Sequence, residues 1–362
     1  MMTFFSAGLG NGGTIRFNTE VVTRLALLCL AAAVAIGVTV PARAAIVLTP
    51  FATGQIASPI GFVYAGDKFV GSYYFSSDLY QVGVAGGTVT PFATGVVSAS
   101  FGENPLGSSL GLGGFPSRDI YVGSFSSVVH VSNDGSTHNT FVTGLSGNVK
   151  GITFDYTGAF GNDMIVTTDN GSVYRVNNSG VPTLITPSLG VVTEGADISP
   201  STFGPLANQL VVASESANQI YAISNTGVVT AIPLVDGLGN PTTLPGAEQL
   251  SFVPLNLGLS GNPVEGYYTT NYPINALKAD ASQFNGMQGD AIVTGEFNSA
   301  LWDVHYNGSA FVVTNIGSLP NQPEDGLFVT AAIINPNPTP EPATLSLLGL
   351  GLAGLAWRRR KQ

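Results

Sequence analysis

The hexapeptide Thr49-Pro50-Phe51-Ala52-Thr53-Gly54 returns as Thr90-Pro91-Phe92-Ala93-Thr94-Gly95 and, more loosely, as Asn139-Thr140-Phe141-Val142-Thr143-Gly144. A longer unit surrounds these copies: an apolar strand, a Ser/Asn-rich turn, a second strand carrying an aromatic residue or valine, a glycine turn and a third strand. The unit occupies 68–95, 119–144, 163–187, 209–233 and 290–317. Aligned on Tyr80, Val129, Tyr174, Tyr221 and Trp302, its spacings are 49, 45, 47 and 81 residues, the last nearly doubled. A period of roughly 40–50 residues with three or four short strands per unit is the pattern of a β-propeller blade.

A further strand precedes several units, at 151–154, 195–198, 249–252 and 326–329, each alternating apolar and small residues as an inner strand should. The last of these has no unit after it. Val47-Leu48-Thr49-Pro50-Phe51 matches an outermost strand and has no unit before it, so joining the two closes a ring and leaves no long exposed edge. Six blades are expected for 45–335. Five or seven stay open, because Gly266-Tyr267-Tyr268-Thr269-Thr270, within 254–287, reads either as a further blade or as an insertion in the fifth. A pair of β-sandwiches is the main alternative, and a β-helix would need a much shorter repeat.

Composition narrows the partners. The 45–335 body carries five basic residues, Lys68, Arg118, Lys150, Arg175 and Lys278, against twenty acids, a net charge near −15 that disfavours nucleic acid. Gly, Ser, Thr, Asn and Val abound, which favours short strands and tight turns over helices.

Both ends read as targeting segments. Arg16 and Arg24 precede an apolar run from Leu25 to Val40, followed by Pro41 and Ala42-Arg43-Ala44, the order of a secretory signal peptide over 1–44 with cleavage before Ala45 by signal peptidase. Cys29 is the only cysteine and lies inside that segment, so the mature chain has no disulfide. At the other end, 336–342 is a proline-rich spacer, 343–357 is apolar and uncharged, and Arg358, Arg359, Arg360 and Lys361 open a basic tail over 358–362. Cations there hold that end on the cytoplasmic side of the inner membrane, with the body outside. Fifteen residues are short for a span of about 20, which suits a temporary transmembrane anchor.

Pro340-Glu341-Pro342, the short apolar helix and Arg358–Arg360 together resemble the PEP-CTERM sorting signal, also known as the ice-binding protein C-terminal domain. The resemblance implies processing by an exosortase-type protease in bacteria that make exopolysaccharide. It covers only about the last 25 residues. The units at 151–187 and 195–233 loosely resemble NHL-type and gluconolactonase-type propeller repeats, which supports the fold.

Chemistry-bearing residues are few. The residue entering the inner strand is Lys150, Glu194, Glu248 and Asp325 in four successive units, so these side chains are expected to ring one mouth of the channel. Glu194, Glu248 and Asp325 converging on the axis would make a Ca²⁺ site of oxygen ligands, and the gluconolactonase resemblance implies a metal at this place. Lys150 in the same ring argues against it, since an ammonium competes for the carboxylates, and the plainer reading is solvated or Lys150-paired charges. His130 and His305 read as strand residues and His138 as a turn residue, none at metal-ligand spacing. Asp169-Asn170-Gly171 and Asn133-Asp134-Gly135 are favoured hairpin turns. Tyr73, Tyr74, Phe75, Tyr267, Tyr268 and Tyr272 would offer a sugar-stacking surface if exposed, but strand aromatics usually pack inside. No catalytic residue is assigned and no cofactor is required. The expected function is a non-enzymatic surface or matrix module binding exopolysaccharide or a surface protein, with a Ca²⁺-dependent lactonase or hydrolase as the alternative.

Overall fold

A computed structural model describes residues 45–54 and 58–334; the expected signal peptide and the sorting-tag segment lie outside them. Six sheets carry the described residues, antiparallel except where Gly87–Thr88 pairs with Thr49–Thr53 and Leu234–Val235 with Phe311–Ser318. From inner to outer strand, blade 1 is Pro59–Tyr64, Lys68–Tyr73, Leu79–Gly83 and Thr90–Ala93. Blade 2 is Leu106–Ser108, Ile120–Ser124, Ser127–Val131 and His138–Val142. Blade 3 is Val149–Phe154, Met164–Thr168, Val173–Val176 and Pro182–Thr186, and blade 4 is Ala196–Ile198, Leu210–Ser214, Gln219–Ile223 and Val229–Ala231. The inner strands touch in ring order, blade 6 returning to blade 1. This is a six-bladed β-propeller.

The five residues that align the repeat all sit in third strands, where Tyr80 faces Gly71, Val129 faces Val122, Tyr174 faces Val166, Tyr221 faces Val212 and Trp302 faces Val293. The doubled spacing before Trp302 has a topological cause. Blade 5 begins with Ala247–Phe252, but the chain then leaves it for Gly266–Asn271 and Asn275–Asp280, the second and third strands of blade 6. It returns to finish blade 5 with Ala291–Gly295, Ala300–Tyr306 and Phe311–Ser318, and only then supplies the inner strand of blade 6, Gly326–Val329. The 254–287 stretch is therefore an insertion in blade 5 by sequence and half of blade 6 in space.

Closure is shared by both ends of the body. Thr49–Thr53 forms the outer strand of blade 6 against Asn275–Asp280, while Gly326–Val329 pairs with Gly266–Asn271. Phe51 then packs its ring 4.8 Å from Tyr268 of its own blade and 5.0 Å from Phe69 of blade 1. The hexapeptide repeat marks the blade-to-blade joint. The third-to-fourth-strand turn of blade 1 places Gly86 at φ 76° where an added Cβ would lie 2.5 Å from the Phe51 carbonyl oxygen, and Gly135 of blade 2 stands the same way over Phe92 at 2.6 Å. Each Phe-bearing outer strand is the seat for the next blade's turn, which only glycine can approach so closely. Core residues lie between successive blades in clusters of Val, Ile, Leu and aromatic side chains.

His130 and His305 are strand residues, as expected, and each is tied to an aspartate at the start of its blade's second strand: Nε2 of His130 to Asp119 at 2.6 Å and Nδ1 of His305 to Asp290 at 2.6 Å. His138 opens a strand rather than sitting in the turn, because the Asn133–Ser136 turn ends one step earlier and leaves His138 opposite Val131. Asp169–Gly171 lies in a hairpin turn, and the Asp169 carboxylate accepts the backbone and side-chain N–H groups of Asn148 at 2.9 and 2.7 Å.

Candidate functional site: the acidic mouth of the channel

All inner strands run the same way through the ring, so their first residues gather at one mouth. Lys150, Glu194, Glu248 and Asp325 all line it. Blades 1 and 2 contribute Ile60 and Pro105 at the corresponding places, with Glu103 just before the latter and Glu324 just before Asp325. Counting the space open to solvent, the opening spans about 490 Å³.

Lys150 stands among the carboxylates. Its Nζ donates to Glu103 and lies 3.4 Å from Glu194 Oε1. Burial works against its charge, yet Glu194 and Glu103 more than offset this and hold the ammonium above its usual range. Glu194 is 3% exposed; burial raises its carboxyl to about 7 although Lys150 pulls the other way. Glu248, 8% exposed, is pushed well above the carboxylate range by burial and then by Glu194, and its Oε2 has no hydrogen-bond partner among the described residues.

The third carboxylate beside this pair is Glu215. Among the described residues, Glu194, Glu215 and Glu248 form a group whose nearest oxygens all lie within 4.8 Å of one another. Asp325 has a different environment: its Oδ2 accepts from Phe62 N–H at 2.7 Å and its Oδ1 from Gly326 N–H at 2.7 Å, which ties blade 6 to blade 1. Burial nevertheless raises it to about 7. Glu296 hydrogen-bonds Glu215 and is raised to about 8, by burial first, and burial lifts Glu324 to about 9. Gln322 Nε2 bridges the two, donating to Glu296 and, at 2.8 Å, to Glu324. The mouth thus stores protons near neutrality and would release them to a bound cation.

Four of these carboxylates escape an inner-strand alignment. Glu215 and Glu296 follow the second strands of blades 4 and 5, in Leu-Val-Val-Ala-Ser-Glu and Ala-Ile-Val-Thr-Gly-Glu, so aligning the units on their second strands would have revealed them. Glu324 adjoins Asp325 in sequence. Glu103 carries no comparable signal, because the inner strand it precedes is only Leu106–Ser108.

At the opposite mouth the lining is apolar and aromatic, with Tyr64, Leu110, Phe154, Tyr156, Phe252 and Ile333 around about 840 Å³. Asp197 is the counterpart of Asp325 there. Its Oδ2 accepts from Phe252 N–H at 2.9 Å, joining blades 4 and 5, and burial raises it to about 6.

Comparison with known proteins bears on both parts of the chain. A model of the PEP-CTERM protein-sorting motif matches residues 338–361. The chain carries a PEP-CTERM sorting motif. That motif points to export and to a C-terminal membrane anchor; among the described residues no helix is long and apolar enough to cross a membrane. Pro340, Glu341, Pro342, Arg358, Arg359 and Arg360, like Ala42 and Ala44, lie outside the described residues, while Ala45 is the first described and is exposed. The propeller is similar to a chain of a nidogen/laminin complex, at 12% identity and a TM-score of 0.50 over 76% of this chain and 87% of that one. It is also similar to a protein assigned as a gluconolactonase, at 9% and 0.49 over 77% and 84%, and to virginiamycin B lyase from Staphylococcus aureus, at 12% and 0.44 over 75% and 87%. Identities this low speak for the fold alone. No curated protein sequence matches the chain.

Proposed function

We propose that the protein is exported, sorted through its PEP-CTERM tag and works at the cell surface or in the matrix as a non-enzymatic binding module associated with exopolysaccharide. The observation that supports this reading is Lys150: its ammonium already stands where a cofactor cation would sit, in contact with Glu103 and Glu194. A mouth that already holds an ammonium of its own at this place suits ligand recognition better than metal-dependent turnover. The signal peptidase and an exosortase-type protease are the processing partners this reading requires. The test uses the full chain and a chain ending at Asn335, produced in a PEP-CTERM-sorting host and fractionated, with purified protein then co-sedimented with polysaccharide extracted from the cells. The full chain is expected outside the inner membrane and in the polysaccharide pellet, and the shortened chain misplaced. A full chain retained in the cytoplasm, or absent from the pellet, rules the reading out.

A second reading is favoured by the Glu194–Glu215–Glu248 group with its unpartnered Glu248 Oε2. These oxygens fit the ligand chemistry of Ca²⁺, which would supply Lewis-acid polarisation of a lactone or ester carbonyl. Lys150 would have to swing aside, and Asp325 would have to give up its two backbone donors to join. Calorimetric titration with Ca²⁺ decides the point: stoichiometric binding together with lactone hydrolysis, both lost in Glu248→Gln, would replace the first reading with this one.

A further inference from the structure

The turn between the second and third strands lies on the acidic-mouth face in every blade, and its side chains change character around the ring. Blade 1 presents Phe75, 55% exposed; blade 2 presents Phe125, 41% exposed; blade 5 presents Phe297, 65% exposed. In blade 6 the same turn carries Tyr272 and Ile274, the latter 53% exposed. Blades 5, 6, 1 and 2 are consecutive in the ring, so the apolar turns form one arc over four of the six blades.

The arc is joined to the charged mouth by backbone. Phe75 N–H donates to the Gly102 carbonyl at 3.1 Å, one residue before Glu103, and the Phe125 carbonyl accepts from Val149 N–H at 2.8 Å, one residue before Lys150. Its rings also touch: Phe101 and Phe125 are 4.9 Å apart, Tyr74 and Phe75 4.3 Å, and Tyr74 and Tyr272 5.8 Å. Phe75 and Phe125 adopt φ of 51° and 50°, a left-handed conformation that bulky side chains rarely accept, whereas blades 4 and 5 place Asn218 and Ser299 at their positive-φ positions. Phe75 and Phe125 nevertheless leave 55% and 41% of their surface in solvent, and strain of this kind accumulates where a surface has work to do.

We propose that this arc and the acidic mouth beside it form one docking surface for an amino-sugar polysaccharide, a glycan bearing free ammonium groups. The C–H faces of its pyranose rings lie on Phe75, Phe125 and Tyr272, and its ammonium groups reach the carboxylates of Glu103 and Glu215. Charge selects this class: the surrounding body is near −15, which repels uronate or sulfate chains and attracts cationic ones. The proposal rests on the binding-module reading and names its ligand.

The probe is a glucosamine hexamer at mildly acidic pH, titrated into the purified propeller beside cellohexaose and an alginate oligomer. The hexamer is expected to bind roughly tenfold more tightly than cellohexaose, with alginate unbound and affinity falling as salt rises. The double variant Phe75→Gly, Phe125→Gly keeps or raises the melting temperature, since glycine relieves both strained positions, and loses roughly tenfold or more in hexamer affinity. Phe297→Ala is the second variant and loses less. Equal affinity for cellohexaose, or a double variant that binds the hexamer as well as the parent, overturns the proposal. A parent that sediments with the extracted polysaccharide yet ignores the glucosamine hexamer overturns it too, and leaves the binding-module reading standing.

Discussion

The two mouths of the channel are made by opposite ends of the same six inner strands, yet one gathers Glu103, Lys150, Glu194, Glu248 and Glu324 while the other is lined by Tyr64, Phe154, Tyr156 and Phe252. The difference lies in what each carboxylate has for a partner. Asp197 and Asp325 each accept two backbone N–H bonds and join neighbouring blades, so the scaffold fixes where they point. Glu194, Glu215 and Glu248 face one another instead, with a single ammonium close by. A carboxylate held by backbone donors ties blades together; carboxylates that face one another are left available to a ligand.

Removing the ammonium should break this contrast most severely. Lys150→Met leaves Glu103 and Glu194 without their counter-charge; Glu194 is buried but Glu103 is 37% exposed, so the cost falls below the value of about 3–5 kcal/mol for a fully buried pair. Denaturant unfolding near neutral pH should show that loss, and acidification should restore much of it by protonating the carboxyls. An unchanged midpoint would mean that Lys150 does not hold the mouth together.

The parent protein should show the same imbalance as a pH dependence. Glu194 and Asp325 are raised to about 7, Glu296 to about 8 and Glu324 to about 9, so the folded chain binds more protons than the unfolded one. Stability from these groups is complete below the ordinary carboxylate range and is lost progressively as pH climbs from there to about 9. The melting temperature is expected to fall across that interval, and Glu324→Gln should flatten its upper end. A rise over the same range would contradict the assignment.

Smaller effects belong to the apolar mouth. Asp197→Asn puts an amide where one backbone N–H needs an acceptor, which costs about 1–3 kcal/mol and is measurable by unfolding above the raised titration of Asp197. It should leave glycan binding untouched, since that surface is on the far face. Least of all, Arg118→Gln loses the bond from Nη2 to the Ile333 carbonyl and the packing of the guanidinium 5.4 Å over the Tyr64 ring, about 1 kcal/mol in all. Amide exchange over Ala331–Ile334 should quicken in that variant.

Much of the scaffold was legible because a propeller blade is a local unit. Tyr80, Val129, Tyr174, Tyr221 and Trp302 recur at one position because each blade meets the same packing demand. Phe51 and Phe92 recur because each seats the next blade's turn glycine. The insertion at 254–287 was visible only as a doubled spacing. Which blade it joins depends on pairing between Gly266–Asn271 and Gly326–Val329, strands far apart in the chain. The ring of Lys150, Glu194 and Glu248 could be read from strand-entry positions, but Glu215 and Glu296 come from turns and meet that ring only through the curvature of the sheets.

By itself, the sequence determined the ends and the repeat: the sorting motif at 338–361 is a contiguous signal, and a period near 47 residues with few helix formers leaves a ring of small sheets as the economical way to bury every unit. Only the tertiary structure decided which side chains share a surface. Whether a carboxylate is satisfied by a backbone amide or faces another carboxylate, and whether Phe75 points inward or out, depends on how neighbouring blades converge on the axis. That convergence is a property of six blades together, and no single repeat contains it.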